Sequence, residues 1–457
     1  MSDIKNEKRI LNELLGLFKS KQYAEVEKKA LSYIKSFPEN PALYNLIGAS
    51  QNYLGKYNEA IIFFKKTCDL QPNIAENFVN VGTALKDVGK DYEAINYFEK
   101  SLSSDPNNAI VLAQTGYLCT RNFIPEKAKK YLEKAIKLDP KPEFIFNLGE
   151  AFKQLGDKEN ASKNFLKALK IKPDMKQANY KLALLFQDKK NYKKSIHHFQ
   201  KCMKYRDTEE RYLLSLYLDG QFKEFNEEFK KISVLKDSSV LMQMISSHAS
   251  KYLNKKDEYN FSNNPFDSIY HENLSELKKG SYLLMKILQD LNSPDIEHRH
   301  QDLLTNGIQT NGNIFDLPIE SIQNLKKLII REIYRFKEKN SVFKNNMIKK
   351  WPKKSILNGW LMRMNSEGFL LPHLHENGWL SGSIYLSIPE DIEDNEGCIE
   401  FSFEGKDFPI LDDKGPKKLI KLETGDIILF PSSLAHSTTP FKSNKKRICV
   451  AFDLNPL

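Results

Sequence analysis

The sequence predicts a multidomain α + β protein: an N-terminal all-α solenoid, then a C-terminal double-stranded β-helix, a cupin-like jelly roll with flanking helices. Three observations carry that expectation. A period of 34 residues runs through the first part of the chain, and after Ile356 the hydrophobic pattern changes from helical to short alternating runs. The length of 457 residues exceeds what one core organises, at roughly 100–200 residues per domain. With 40% hydrophobic and 28% charged residues, the composition excludes wholesale disorder and allows large cores.

The repeat is defined by four positions in register. Gly48, Gly82 and Gly116 stand 34 apart and Gly149 follows after 33. Ala60, Ala94, Ala128 and Ala161 recur twelve residues further on, then Phe64, Phe98, Leu132 and Phe165, and Pro72, Pro106, Pro140 and Pro173 close the units. Small residues let two antiparallel helices approach, the large one is expected to fill the gap to the next unit, and the proline ends the second helix. The pattern resembles the tetratricopeptide repeat. Weaker units flank these four. Residues 176–207 keep Ala183 and Phe199 but carry Ser195 and Asp207 at the small and proline positions, 5–38 keep Pro38, and 208–233 centre on Phe225 and Phe229. Degenerate ends are expected of a stack whose outermost units lack a neighbour. Six or seven helix pairs and a capping helix over 234–253 assign residues 1–253 to the solenoid, with its best repeats at 41–175.

Two residues before three of the glycines lie Asn80, Gln114 and Asn147, and Lys181 breaks the series in the next unit. Amide side chains both donate and accept, so a row of them can hold the backbone of an extended peptide whatever its sequence. The row resembles the asparagine ladder of O-GlcNAc transferase repeats, which implies a protein or peptide partner in the groove.

The period disappears after residue 253. Residues 254–350 read as a connector with helices at 274–290 and 318–340, and the glycines and asparagines of TNGIQTNGNIF between them mark turns. From Ile356 onward, eight short runs from ILNGWLMRM to RICVAFDL are separated by turn residues, and 351–457 is the expected jelly-roll core.

Charge and cysteine usage narrow the class. The net charge of +10 arises before position 351, as Lys interspersed with Glu and Asp on helix surfaces, so a nucleic-acid partner is not expected. The first twenty residues lack an apolar core before a small-residue cleavage site, and no stretch approaches 18 apolar residues, so the expected setting is cytoplasmic with no membrane partner. Cys68, Cys119, Cys202, Cys398 and Cys449 are odd in number and far apart, which reads as buried thiols.

The chemistry concentrates near the C-terminus. His373 and His375 stand at i and i+2 in PHLHENGWLSGSIYLSIP, His436 follows in GDIILFPSSLAHSTTPF, and Arg447 opens RICVAFDL. Alternate residues of a strand share a face, so two imidazoles at this spacing can meet one metal ion, with His436 closing the triangle. A guanidinium grips a carboxylate through two parallel hydrogen bonds, which suits Arg447 to an organic acid beside the metal. By contrast His298 and His300 share the spacing without a following strand or a matching arginine, and His197 and His198 lie inside a repeat helix.

The order of these runs resembles the iron(II)- and 2-oxoglutarate-dependent oxygenases, in particular the bacterial group that joins tetratricopeptide repeats to such a domain. The resemblance spans most of the chain, including NPFDSIYHENL and the terminal AFDLNP. It implies Fe(II) with 2-oxoglutarate and dioxygen as co-substrates, His373 and His436 as metal ligands, Arg447 as the 2-oxoglutarate anchor, and hydroxylation of a protein or peptide recruited by the repeats. His375 stands where a carboxylate completes the usual two-histidine, one-carboxylate triad. Three readings stay open: His375 is the third ligand; iron is held by His373 and His436 with water, as in aspartyl and asparaginyl hydroxylases; or His375 and His436 ligate with His373 behind them. Cys449 shares the face of Arg447 at a position where the family often has Ser, and Ser381 and Ser383 are candidates for the missing hydroxyl contact to the co-substrate, or small residues for sheet packing. Trp360 and Trp379 are expected to pack the mouth of the roll. The alternative to an enzyme is an interaction scaffold with an inactive jelly roll, and a cupin-like enzyme without an oxo acid is a third reading.

Overall fold

A computed structural model describes the chain except residues 1, 236–238, 258, 260–261, 263, 294–295, 297, 300–302, 344, 404–407 and 409–415. It divides into two compact units, Met1–Thr208 and Glu209–Leu457.

The first unit is a run of helices paired head to tail. The pairs Pro41–Tyr53 with Tyr57–Leu70, Ala75–Asp87 with Asp91–Ser104, Ala109–Arg121 with Pro125–Leu138, and Pro142–Gln154 with Lys158–Ile171 follow the sequence period. Ser2–Lys19 with Tyr23–Tyr33 precedes them, and Lys176–Asp188 with Tyr192–Gln200 follows. The glycines are needed where the pairs touch. A Cβ on Gly48 would sit 2.7 Å from the Phe64 ring, and one on Gly82 equally close to Phe98. The large residue therefore lies against the glycine of its own pair, where the sequence suggested the gap to the next unit. Ala60, Ala94, Ala128 and Ala161 are wholly buried beside it.

In the second unit the helices Thr208–Leu218, Phe222–Leu235 and Val240–Tyr252 precede a curled antiparallel sheet, a half-barrel of jelly-roll type. Its strands are β1 (Tyr270–Asn273), β2 (His298–Arg299), β3 (Leu304–Thr310), β4 (Ser355–His373), β5 (Leu380–Ser387), β6 (Ile399–Ser402), β7 (Lys418–Ile420), β8 (Asp426–Pro431), β9 (Ala435–Thr438) and β10 (Arg447–Pro456). The main path runs β1-β8-β5-β10-β4-β9-β6-β7, with β3 pairing β4 and β2 pairing β3. Two segments differ from the sequence reading. ILNGWLMRM and GFLLPHLH join into the single long strand β4, through Glu367 in a left-handed conformation at φ 62°. TNGIQT, expected as a turn, is most of β3; Asn306 at φ 48° and a register shift between Thr305 and Gly307 form a bulge, and a Cβ on Gly307 would meet the Arg363 carbonyl at 2.8 Å.

The turn before β8 explains the Gly-Asp pair. Gly425 takes φ 97°, and Asp426, almost wholly buried, accepts from Asn273 at 2.8 Å, from the Glu423 N–H at 2.8 Å and lies 3.0 Å from His271 Nε2. These bonds fasten β1 to β8. The flanking helices Tyr282–Asp290 and Glu320–Asn340 cover the unit, the longer one through buried Glu332, which accepts from Tyr270 Oη at 2.8 Å and pairs with Arg331 and Arg335. Among the described residues no helix is long and apolar enough to cross a membrane.

Candidate metal centre

β4 and β9 bring the first two imidazoles together, because His373 stands opposite His436 in the strand register. Their ring centroids are 4.2 Å apart, and His375 lies 5.0 Å from one and 5.1 Å from the other. One nitrogen from each ring falls within 4.8 Å of the other two. The Nδ1 atoms have acceptors of their own. His373 Nδ1 is 2.9 Å from the Leu371 carbonyl, His436 Nδ1 is 3.3 Å from the Leu434 carbonyl, and His375 Nδ1 lies 2.7 Å from both carboxylate oxygens of Asp453. An Nδ1–H donated to each acceptor leaves the Nε2 lone pair of each ring for a shared ion.

Burial, reinforced by the neighbouring His375, holds the His373 imidazole down to about 4, and burial with the two adjacent rings holds His436 well below its ordinary value. Both are therefore neutral at physiological pH, the form that ligates a metal.

The histidines line a cavity of about 450 Å³ together with Trp360, Ser383, Tyr385, Phe430, Arg447 and Asp453. Arg447 is 2% exposed. Its guanidinium lies 5.0 Å from the Tyr385 ring centroid and donates to the Gly397 carbonyl at 3.3 Å, to Met364 Sδ at 3.6 Å and to Cys449 Sγ at 3.8 Å. Among the described residues no carboxylate pairs with it. A buried cation without an anion costs several kcal/mol, about 3–5 when a partner has been removed, a cost that an anion in the cavity would offset.

The other candidates fall into place around this pair. Cys449 is buried, and burial raises its thiol pKa, so it stays protonated beside Arg447. Ser381 and Ser383 both line the cavity, and Ser381 donates to Asp453 at 2.6 Å and contacts Ser432 Oγ at 2.7 Å. Between them Gly382 supports sheet packing, since a Cβ there would meet the Ile428 carbonyl at 2.6 Å. Trp360 stacks over His375 at 5.7 Å between centroids, and Trp379 is buried. His198 is occupied with Asn179 at 2.9 Å, His298 lies in β2 opposite Thr310, and His300 lies outside the described residues.

Asp453 is the participant that sequence reasoning missed. Arg447, Cys449, Ala451 and Asp453 alternate on one face of β10, and all four line the cavity. Counting by twos from Arg447 would have found it.

In the first unit, Asn80, Gln114 and Asn147 lie on the first helices of successive pairs. Asn80 Nδ2 donates to Asn45 Oδ1 at 3.1 Å, a partner outside the expected series. Gln114 Oε1 is buried without a hydrogen-bond partner, and Lys181 is neutralised by Glu150.

Comparison with known proteins agrees with both halves. Residues 358–453 match the family described as "Putative 2OG-Fe(II) oxygenase", and 41–74, 75–108, 125–142, 142–175 and 176–208 match the tetratricopeptide repeat. A PKHD-type hydroxylase of Prochlorococcus marinus strain NATL1A is 27% identical over 120 residues, 25% of this chain and 49% of that protein. One from strain NATL2A is 26% identical over the same share. The chain thus spans about half the length of the curated relatives it matches. Among solved structures, the C-terminal part of a TPR repeat-containing protein from Cytophaga hutchinsonii is 19% identical at a TM-score of 0.44, covering 50% of this chain and 95% of that one. YrrB, described as a TPR protein with an unusual peptide-binding site, is 20% identical at a TM-score of 0.36, covering 42% and 97%.

Proposed function

Because the chain joins tetratricopeptide repeats to a C-terminal domain of the 2OG-Fe(II) oxygenase family, we propose that it is an iron(II)- and 2-oxoglutarate-dependent dioxygenase that hydroxylates a protein or peptide held by the repeats. The observation that carries the reading is the shared cavity, which joins three clustered imidazoles to one buried cation that, among the described residues, has no carboxylate partner.

These residues fit the group that the family implies. His373, His375 and His436 would hold Fe(II) through Nε2, and imidazole suits iron. Arg447 would bind the far carboxylate of 2-oxoglutarate, with Ser383 and Cys449 beside it. When bound, the metal with dioxygen and 2-oxoglutarate supplies oxidation of a C–H bond, the oxo acid ending as succinate and carbon dioxide. The chain's own residues orient and shield. Phe401 and Phe430, buried beside His436 with ring centroids 6.4 Å and 4.6 Å away, keep bulk water from that side. Trp360, stacked on His375, limits the rotation of that ring.

Asn80, Gln114 and Asn147 are the proposed peptide contacts, on the first helices of successive pairs. A domain boundary at 253, with 254–350 packing on a core at 351–457, is retained as a proposal, as is a cytoplasmic setting, which the five free buried cysteines support.

The test is succinate release from 2-oxoglutarate by anaerobically iron-loaded protein exposed to air and lysate fractions, with a mass gain of one oxygen on the responding component. Arg447→Ala should raise the KM for 2-oxoglutarate by two orders of magnitude or more while iron still binds. A variant that oxidises the responding component at the wild-type rate with no 2-oxoglutarate added would instead point to a cupin-like enzyme without an oxo acid. The scaffold reading draws on the absence, among the described residues, of a carboxylate from the clustered ligand set, and iron binding with stimulated 2-oxoglutarate decay would exclude it.

A further inference from the structure

We infer that Asp453 is a positioning residue of the metal centre: it fixes His375 as the third ligand and supplies from behind the ring the negative charge that a ligating carboxylate would otherwise bring. The inference rests on the reading of the three histidines as metal ligands.

His375 differs from the other two in how it is placed. His373 ends β4 and His436 lies in β9, so their rings are set by strand pairing. His375 comes after the last residue of β4, outside the strand ladder, where its N–H donates to the Ser432 carbonyl at 3.3 Å and its carbonyl accepts from the Gly378 N–H at 3.2 Å. Such a side chain needs another device to keep one nitrogen aimed at a shared point. Both Asp453 oxygens stand 2.7 Å from Nδ1, a charge-assisted contact that fixes the tautomer with Nε2 free.

Asp453 is itself held. It lies in β10, opposite Ser381 of β5 and Asn358 of β4 in the register. The Ser381 hydroxyl donates to it at 2.6 Å and, having given up its proton there, accepts from Ser432 Oγ at 2.7 Å. The same Ser432 accepts the His375 N–H, so one loop residue ties both ends of the arrangement together. Three neutral imidazoles alone would leave a divalent ion's charge unbalanced. A carboxylate hydrogen-bonded to a ligating imidazole makes that ring a better electron donor without occupying a coordination position.

Anaerobic titration of the full chain with Co(II), read by its visible absorption bands, tests the assignment. Asp453→Ala is expected to weaken Co(II) binding about 10- to 100-fold and to shift the bands. Asp453→Asn, whose amide oxygen can still accept Nδ1–H, should lose less, and Ser381→Ala should show a smaller loss of the same sign; these two carry the test should the alanine variant fail to fold by far-UV circular dichroism. In a His375→Ala background the Asp453→Ala change should have no further effect, since the residue acts through that ring. Wild-type affinity and bands in the folded Asp453 variants, or a loss that adds to that of His375→Ala, would overturn the inference. Failure of the wild type to bind Co(II) or Fe(II) would overturn both this inference and the oxygenase reading. Metal binding that responds as expected without succinate release would overturn the oxygenase reading alone.

Discussion

The two units use distance along the chain in opposite ways. In the first, the contacts that define the fold are local: Gly48 meets Phe64 and Gly82 meets Phe98, each pair sixteen residues apart. In the second, the decisive contacts join distant segments, with His375 to Asp453 spanning 78 residues and Tyr270 to Glu332 spanning 62. A stack of near-neighbour contacts confines damage to the repeat that suffers it. A sheet whose cavity is walled by β4, β5, β8, β9 and β10 shares damage among all of them. A surface of one unit can therefore change by local substitution, whereas the cavity of the other depends on its whole frame.

The largest expected effect breaks that frame. Gly382→Val would drive a side chain into the Ile428 carbonyl, which the β5–β8 pairing holds in place. Hydrogen-exchange protection should collapse across 355–456 and metal binding should disappear, while protection over 41–175 stays as in the wild type. Phe64→Ala is the counterpart in the solenoid. It should cost about 3–5 kcal/mol, the range for emptying a buried phenylalanine site. Exchange should accelerate in the Pro41–Leu70 pair and its neighbours, with Co(II) binding unaltered; loss of the metal site would contradict the confinement argued above.

A smaller effect concerns acid. Burial pushes the Asp426 carboxyl up, but hydrogen bonds from His271, Asn273 and the Glu423 N–H outweigh it, and the net shift is below the ordinary value of 3.8. A group depressed in the folded state contributes stability that is complete above its unfolded value and lost as pH falls through the folded one. The second unit should therefore weaken below about pH 4, and Asp426→Asn should lower its stability at neutral pH by about 1–3 kcal/mol, the worth of a hydrogen bond to a charged group. Denaturant melts from pH 7 to pH 2 should show a shallower acid limb in the variant. The smallest effect is Asn80→Ala. It removes the bond to Asn45 at a cost of about 1 kcal/mol or less, and its use lies in peptide-binding titrations, where an unchanged affinity would exclude Asn80 from the groove.

These differences also explain what the sequence disclosed. The repeat was legible because Gly48, Gly82, Gly116 and Gly149 state one steric requirement four times. His373, His436 and Arg447 were legible because the strand order around them is distinctive, and their placement in one cavity follows from it. Asp453 was not, since its role depends on a hydrogen bond across 78 residues, and a lone carboxylate near a C-terminus looks like surface. β3 was hidden by Asn306 and Gly307, residues that normally mark turns and here shape a bulge. Asn45 escaped because it lies one residue off the series that Asn80 belongs to.

One consequence follows from the alternation of β10. Arg447, Cys449, Ala451 and Asp453 reach the cavity only because each is two residues from the next, while β4 and β5 fix the strand from both sides. Deleting or inserting a single residue anywhere between 447 and 453 would send part of that set to the opposite face at one stroke. In a library of variants, then, β10 should accept exchanges at Cys449 or Ala451 more readily than any change of length.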